Sequence, residues 1–426
     1  MDGRHTLAAE PPSRFLLIYK LTPTVQDYLW GGREYISKLL GVSPSKAAEL
    51  WMGAHPQSPS TLQVNGLPIS LHSVIEQSPD IILGPLAAKK FGRLPYLFKI
   101  LDVAAMLSIQ SHPNRRQARE GFARENQAGI PLNAPHRNYK DDNHKPEMNL
   151  ALTEFWMLYG FKSIEEIKTT LIQDVPEFSR VVGGFPRSSD PLRKLYEQIM
   201  GLSQEETDRV LSPLLERLKA FERQKGPFAK TSPHFWALRA ARNPDFKPSN
   251  GQYNRGIFSI YLLNLVHLNP GEGVDQNPGT LHAYLEGVTL EIMANSANVL
   301  RGGLTPKHVD VSELLKTVCF ESIPVEILKG EKISSTETLY RSGAEEFSIG
   351  KIEVSAQECH MGRALNSAEI LLALDSNKTF TIQSEDKTFQ AAKGEAIFIP
   401  FGCDYKIQSK RRAVLYRAMT RPKVSR

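Results

Sequence analysis

Gly271, Asn277, Gly279 and His282 fall at offsets 0, 6, 8 and 11, and Gly394, Pro400, Gly402 and Tyr405 repeat those offsets 123 residues later. Glycine at the first and third of these positions supplies the backbone freedom that tight turns between short strands require. A turn spacing that recurs in one chain marks two copies of a single β unit. The fold class is therefore expected to be mainly β, with two modules, one ending its echo on His282 and the other on Tyr405.

The pass along the chain adds a helical insertion to this frame. From Phe15 to Phe161 the apolar residues come in short runs broken by Gly, Pro and Asn, which reads as mostly strand with a few short helices. Ser163 with Glu166 three residues on is a capping box, and Ile and Leu then recur at helical spacing. Pro191 to Gln198, Ser203 to Gln224 and Pro233 to Arg242 keep that period, so a helical subdomain over 163–250 is expected. Strand character returns at Gly256, where Ile257 to Leu268 is a continuous apolar run closed by Asn-Pro-Gly. The expected division is a discontinuous β module over 1–162 and 251–325, the helical subdomain, and a C-terminal β module over 326–426.

Composition narrows the partners. With 426 residues the chain is too long for one small core. Net charge is +6, but basic and acidic residues interleave over most of the length, which argues against nucleic acid and is compatible with a small anionic substrate. Met1 to Ser13 lacks the apolar run of a signal peptide, and no window approaches the roughly 18 apolar residues that span a bilayer. A cytoplasmic protein without membrane contact is expected. Cys319, Cys359 and Cys403 are far apart and odd in number, so they read as reduced thiols. A chain with its own two-module core needs no partner, and a monomer is expected.

Three islands carry the chemistry: Leu107 to Pro113, Tyr139 to Met148 and Gly279 to Leu285. Together they offer Gln110, His112, Glu147 and His282 as metal ligands. Gln110 and His112 are one residue apart in an apparent strand, so a period of two puts both on one face. Two imidazoles, a carboxylate and an amide oxygen suit one Zn2+ per chain well, and Fe2+, Mn2+ or Co2+ less decisively. Cations surround them: Lys99, His144, Lys145, Arg301 and Lys307, with Arg115, Arg116 and Arg119 after the Gln-x-His. Lys99 lies inside an apolar run, where an unpaired charge is costly. Buried cations beside a metal are what a sugar phosphate or an enediolate requires.

The second copy of the echo, Gly-x5-Pro-x-Gly-x2-Tyr, resembles the second motif of the cupin superfamily, in which a His in place of the Tyr binds metal. The resemblance implies two cupin-type jelly rolls, the C-terminal one without a metal site. Gly92 to Leu101, Leu107 to Pro113, Tyr139 to Glu147 and Gly302 to Asp310 further resemble the type I mannose-6-phosphate isomerases. The likeness starts at Leu29-Trp-Gly31 and Glu49 to Pro56 and loosens beyond Asp310.

This second resemblance implies a zinc enzyme that interconverts mannose 6-phosphate and fructose 6-phosphate through a cis-enediol, with Gln110, His112, Glu147 and His282 as ligands. Arg301 and Lys145 are the candidates for stabilising negative charge on O1 and O2, and His144 or a zinc-bound water for the acid/base. Lys99, Ser108 and Lys307 are the candidates for the phosphate. One departure stands out. Where the family reads Ser-Asp-Asn, an apolar pair and Arg, this chain reads Ser296-Ala297-Asn298-Val299-Leu300-Arg301, so the carboxylate is missing. A non-catalytic or weakly active sugar-phosphate-binding relative is therefore the alternative reading, and an iron-dependent oxygenase of the cupin type a weaker third. Asn277, where Pro is common, reads as a turn variation.

Overall fold

The structure is a computed structural model that describes residues 17–421, apart from 44, 65, 180–184, 186–187, 377–378 and 386. The N-terminal stretch read above for a leader lies outside the described residues, as does part of the expected helical subdomain. The chain divides into two compact units. One comprises Met1–Asp102, Leu290–Asn295 and Leu328–Arg426, the other Val103–Thr289 and Ser296–Ile327. Residues 1–102 group with the C-terminal module because strand Tyr19–Thr22 pairs antiparallel with Ala396–Ile399.

The first unit is an antiparallel β structure. A nine-stranded sheet runs from Glu331–Lys332 at one edge, through Ser348–Val354, Ala413–Met419, Glu369–Ser376, Ala396–Ile399 and Tyr19–Thr22, to Leu67–Ser70 at the other. A four-stranded sheet of His360–Arg363, Asp404–Gln408, Phe380–Gln383 and Thr388–Ala391 belongs to the same unit. Alternate residues of both sheets, among them Ile352, Val354, Leu371, Ala373, Leu415, Ile382 and Ile407, meet in one apolar core. Period-2 burial of this kind turns strand alternation into a sandwich.

The echoed glycines perform the same backbone task in both units. Gly271 and Gly279 have φ of +89° and +88°, and Gly394 and Gly402 have +87° and +82°, so all four sit in the left-handed region that other residues enter at a cost. At Gly394 a side chain has no room either, since a Cβ there would lie 2.2 Å from the Leu39 carbonyl oxygen.

Tyr405, the residue that ends the second echo, is fully buried. Its hydroxyl donates to Glu369 Oε2 at 2.9 Å and accepts from Arg417 Nη1 at 3.0 Å. Arg417 also pairs with Glu337, so one guanidinium neutralises two buried carboxylates. Tyr405→Phe deprives Glu369 of a donor in a dry interior, a loss of about 1–2 kcal/mol. Thermal unfolding should therefore show a midpoint lowered by a few degrees, with bound metal unchanged; an unaltered midpoint or a loss of metal would contradict this assignment.

In the second unit, Phe155–Phe161 pairs with Leu263–Leu268 and with the start of His282–Ala294, Glu147–Ala151 pairs with Gly273–Gln276, and Ile109–Ser111 pairs with Leu300–Gly303. Helices Ile164–Gln173, Pro191–Met200, Gln204–Lys225 and Pro233–Arg242 pack on one face, where Leu158, Leu281, Ala283 and Leu285 join Tyr196, Leu214 and Trp236 in the core. The intervening residues His282 and Tyr284 belong to the opposite face, which is how the strand period sets them apart for other chemistry. Both arms of the Ser163–Glu166 capping box form.

Two elements differ from the sequence reading. Gly256–Leu262 is a helix, and only Leu263–Leu268 is strand. Every residue of that helix is buried, and an apolar run buried on all sides carries no periodicity to separate helix from strand. Arg115–Gln127 forms a 13-residue helix within the stretch read as mostly strand, although its capping box, Asn114 with Gln117, is present in the sequence.

Candidate metal centre

Short β pairings bring the three islands of the second unit together. Gln110, in the middle of Ile109–Ser111, stands opposite His282 on one side and Arg301 on the other. His112 follows that strand by one residue, and its carbonyl accepts the Gly279 N–H at 2.8 Å, tying the first island to the third. Glu147 opens its strand opposite Gln276. His112, Glu147 and His282 are each 2 % exposed, and one ligand atom from each lies within 4.8 Å of the others.

The hydrogen bonds fix which ring nitrogens face inward. His112 Nδ1 lies 2.7 Å from the Asn298 carbonyl oxygen and His282 Nδ1 lies 3.0 Å from that of Thr280. A carbonyl can only accept, so both Nδ1 atoms carry the proton and both Nε2 atoms present a lone pair. Among the described residues those Nε2 atoms are buried without a hydrogen-bond partner, and both point at one carboxylate, His112 at 3.3 Å from Glu147 Oε1 and His282 at 3.2 Å from Oε2. Burial, with the Lys145 charge, pushes the His112 imidazole down to about 4, so at neutral pH this is no ion pair.

Two lone pairs facing a carboxylate in a dry interior repel unless a cation stands between them. Metal–ligand bonds of roughly 2.0–2.2 Å in a tetrahedron put ligand atoms roughly 3.3–3.6 Å apart, close to the separations seen here. The residues fit a divalent metal with N and O ligands. Bonding Nδ1 of each His to a backbone carbonyl is the usual way such ligands are oriented.

Glu147 has a second partner, Lys145, whose Nζ lies 2.6 Å from Oε1. Burial alone would raise the Glu147 carboxyl, but the Lys145 ammonium overrides it and holds it well below the usual carboxylate range. It is thus an anion at any physiological pH.

The remaining sequence candidates fall in different surroundings. Arg301 is partly buried and, among the described residues, its guanidinium makes no hydrogen bond or ion pair; burial lowers its pKa. His144, partly buried, has Nε2 2.8 Å from Arg115 Nη2 and is outside the His–Glu–His group. Ser108 is half-buried two residues before Gln110, and Lys307 is exposed in the turn after Leu300–Gly303. In the first unit, Lys99 is buried with Nζ 2.8 Å from Glu291 and 3.5 Å from Glu49, and over the Trp51 ring. The costly charge that its sequence position implied is neutralised by two carboxylates, one of them 192 residues away. The sequence reading assigned no part to Glu49, Asp141 or Asn298. Their signal was no more than polar residues beside a motif, because their partners come from distant segments.

An antiparallel β scaffold with a helical insertion and one buried, carboxylate-bridged pair of imidazoles defines a metal-binding β protein. Residues 18–164 match the model of the phosphomannose isomerase type I catalytic domain. The mannose-6-phosphate isomerases of Escherichia coli and Salmonella typhimurium are 39% and 37% identical to this chain over 387 residues, covering 89% of it and 94% of each relative. That of Mus musculus is 31% identical over 414 residues, covering 90% and 93%. Among solved structures, the zinc-bound holo form of a mannose 6-phosphate isomerase superposes with a TM-score of 0.81 at 34% identity, covering 95% of this chain and all of that one. The Salmonella typhimurium enzyme bound to fructose 6-phosphate and zinc superposes with the same score, identity and coverage. The chain belongs to the type I phosphomannose isomerase family.

Proposed function

We propose that the chain is a zinc-dependent isomerase that interconverts D-mannose 6-phosphate and D-fructose 6-phosphate. The observation that carries this reading is the pair of buried, partnerless Nε2 atoms converging on Glu147 in a member of that family. Gln110, His112, Glu147 and His282 would hold one Zn2+. When bound, the ion supplies Lewis acidity toward the O1 and O2 oxygens of the sugar.

The reaction removes a proton from C2 of the aldose, gives a cis-enediol and returns a proton to C1, while a proton moves between O1 and O2; the balance needs no oxidant. Negative charge builds on the two oxygens. Arg301, desolvated and without an anionic partner among the described residues, is the group best suited to meet that charge, and Lys145 adds positive potential beside Glu147. His144, whose Nε2 lies within hydrogen-bonding distance of Arg115, is the candidate acid/base. Ser108 and Lys307 are the candidates for the phosphate in the second unit. Lys99 is a weaker one, because its ammonium already serves Glu291 and Glu49.

We further propose that both β modules are of cupin type, with the helical subdomain over 163–250, and that the protein works as a monomer in the cytoplasm. Among the described residues no helix is long and apolar enough to cross a membrane. A coupled assay in both directions with purified protein tests the activity: turnover of both hexose phosphates is expected, and substrate binding without turnover would favour the inactive relative.

Arg301, without a carboxylate partner among the described residues, is what supports that second reading, since Ala297 replaces the acid of the family pattern. Restoring it should speed the chemistry rather than binding. Ala297→Asp is expected to raise kcat by at least roughly tenfold, about 1.4 kcal/mol of barrier, with metal content unaltered. An Asp variant that binds zinc normally but turns over no faster than its parent would show that the carboxylate is dispensable here.

A further inference from the structure

Asp141 precedes Glu147 by six residues and has no part in the reaction above, yet its carboxylate is saturated with donors. Oδ2 accepts the Ala297 N–H at 2.7 Å, and Oδ1 accepts from Ser296 Oγ at 2.8 Å, from the Asn143 N–H at 3.0 Å and from Asn298 Nδ2 at 3.3 Å. Asn298, fully buried, completes the knot. Its Oδ1 accepts the N–H groups of Lys140 and Asp141 at 2.6 and 3.2 Å, and its Nδ2 donates to the carbonyls of Asp141 and Asn143 at 2.8 and 2.9 Å. Two segments 155 residues apart are thereby locked together.

The knot ends on the metal centre at two points. The Asn298 carbonyl is the acceptor that orients His112, and three residues further on Arg301 stands opposite Gln110. Ala297 contributes only its backbone N–H, so the anionic charge within hydrogen-bonding reach of this turn comes from Asp141. We infer that Asp141 is a positioning residue: acting through the 296–298 turn, it aims the His112 ring at the metal and sets the register of the strand that carries Arg301. The inference rests on the metal-centre reading given above. A carboxylate is the group that suits this place, because all of its facing neighbours are donors. An amide of the same shape would turn an N–H toward another N–H or O–H, and the turn would have to shift.

The test uses the full chain with Asp141→Asn and Ser296→Ala, measuring zinc affinity by competition with a chromogenic chelator well below the unfolding temperature, together with kcat and KM. Asp141→Asn is expected to weaken zinc binding by at least roughly tenfold, the scale on which residues behind metal ligands act. Its kcat should fall by at least about tenfold while KM stays within about threefold. Ser296→Ala removes one donor and leaves the carboxylate, so a loss of about two- to threefold in both is expected; it keeps the test decisive should the first variant not fold. Zinc affinity and kcat within about twofold of the parent, even with a lowered unfolding temperature, would reduce Asp141 to a structural tie and overturn the inference. If the parent shows no isomerisation but Asp141→Asn still loses its zinc affinity, the proposed activity fails and the positioning role stands.

Discussion

His282→Ala should leave the protein folded, nearly free of zinc and slower by at least roughly a thousandfold, because the several kcal/mol a metal contributes to a charged transition state are lost together. The basis is local. His282 Nε2 has no hydrogen-bond partner among the described residues, and its removal leaves two of the three candidate ligand atoms that the structure groups there. Glu147→Ala should be equally inactive and also less stable, since Lys145, 8 % exposed, then keeps a buried ammonium without its carboxylate. Metal analysis and the isomerase assay on the same samples check both. Retention of stoichiometric zinc by either variant would contradict the ligand assignment.

The second large effect lies in the first unit. Arg417→Leu removes the guanidinium that pairs with Glu337 and Glu369, which are 5 % and 4 % exposed. Breaking a buried pair from one side costs about 3–5 kcal/mol, on the order of 10 °C in unfolding midpoint for a unit of this size. The pH dependence has a definite sign. Burial already raises both carboxyls above their ordinary value and Arg417 opposes the rise, so without it their folded-state pKa values climb further. An acid whose folded pKa is raised binds protons more readily when folded, so the variant should recover stability as pH falls from 7 toward those raised values. Scanning calorimetry at pH 7 and pH 5 measures the gap to the parent, which should narrow; a gap that widens on acidification would refute the charge argument.

What could be read from the sequence was whatever is local in the chain. The echo survives because a left-handed backbone at Gly271, Gly279, Gly394 and Gly402 is a property of single residues, and the Ser163 cap because a capping box spans four. Gly256–Leu262 was misread because burial on every side erases the period that distinguishes helix from strand. At the centre, His112, Glu147 and His282 could be picked out by residue type and are brought within reach of one another by the β ladders. The role of the backbone carbonyls of Asn298 and Thr280, the saturation of Asp141, and the pairing of Lys99 with Glu291 all depend on contacts between distant segments. No motif spacing encodes those.

The central claim is that one zinc ion held by this centre makes the chain an isomerase of hexose 6-phosphates. Zinc titration of the chelator-stripped full chain, followed simultaneously by mannose 6-phosphate turnover, tests it most directly. Turnover should start near zero, rise in proportion to added zinc and level off at one ion per chain. Full turnover by metal-free protein, or none at saturating zinc, would contradict the claim.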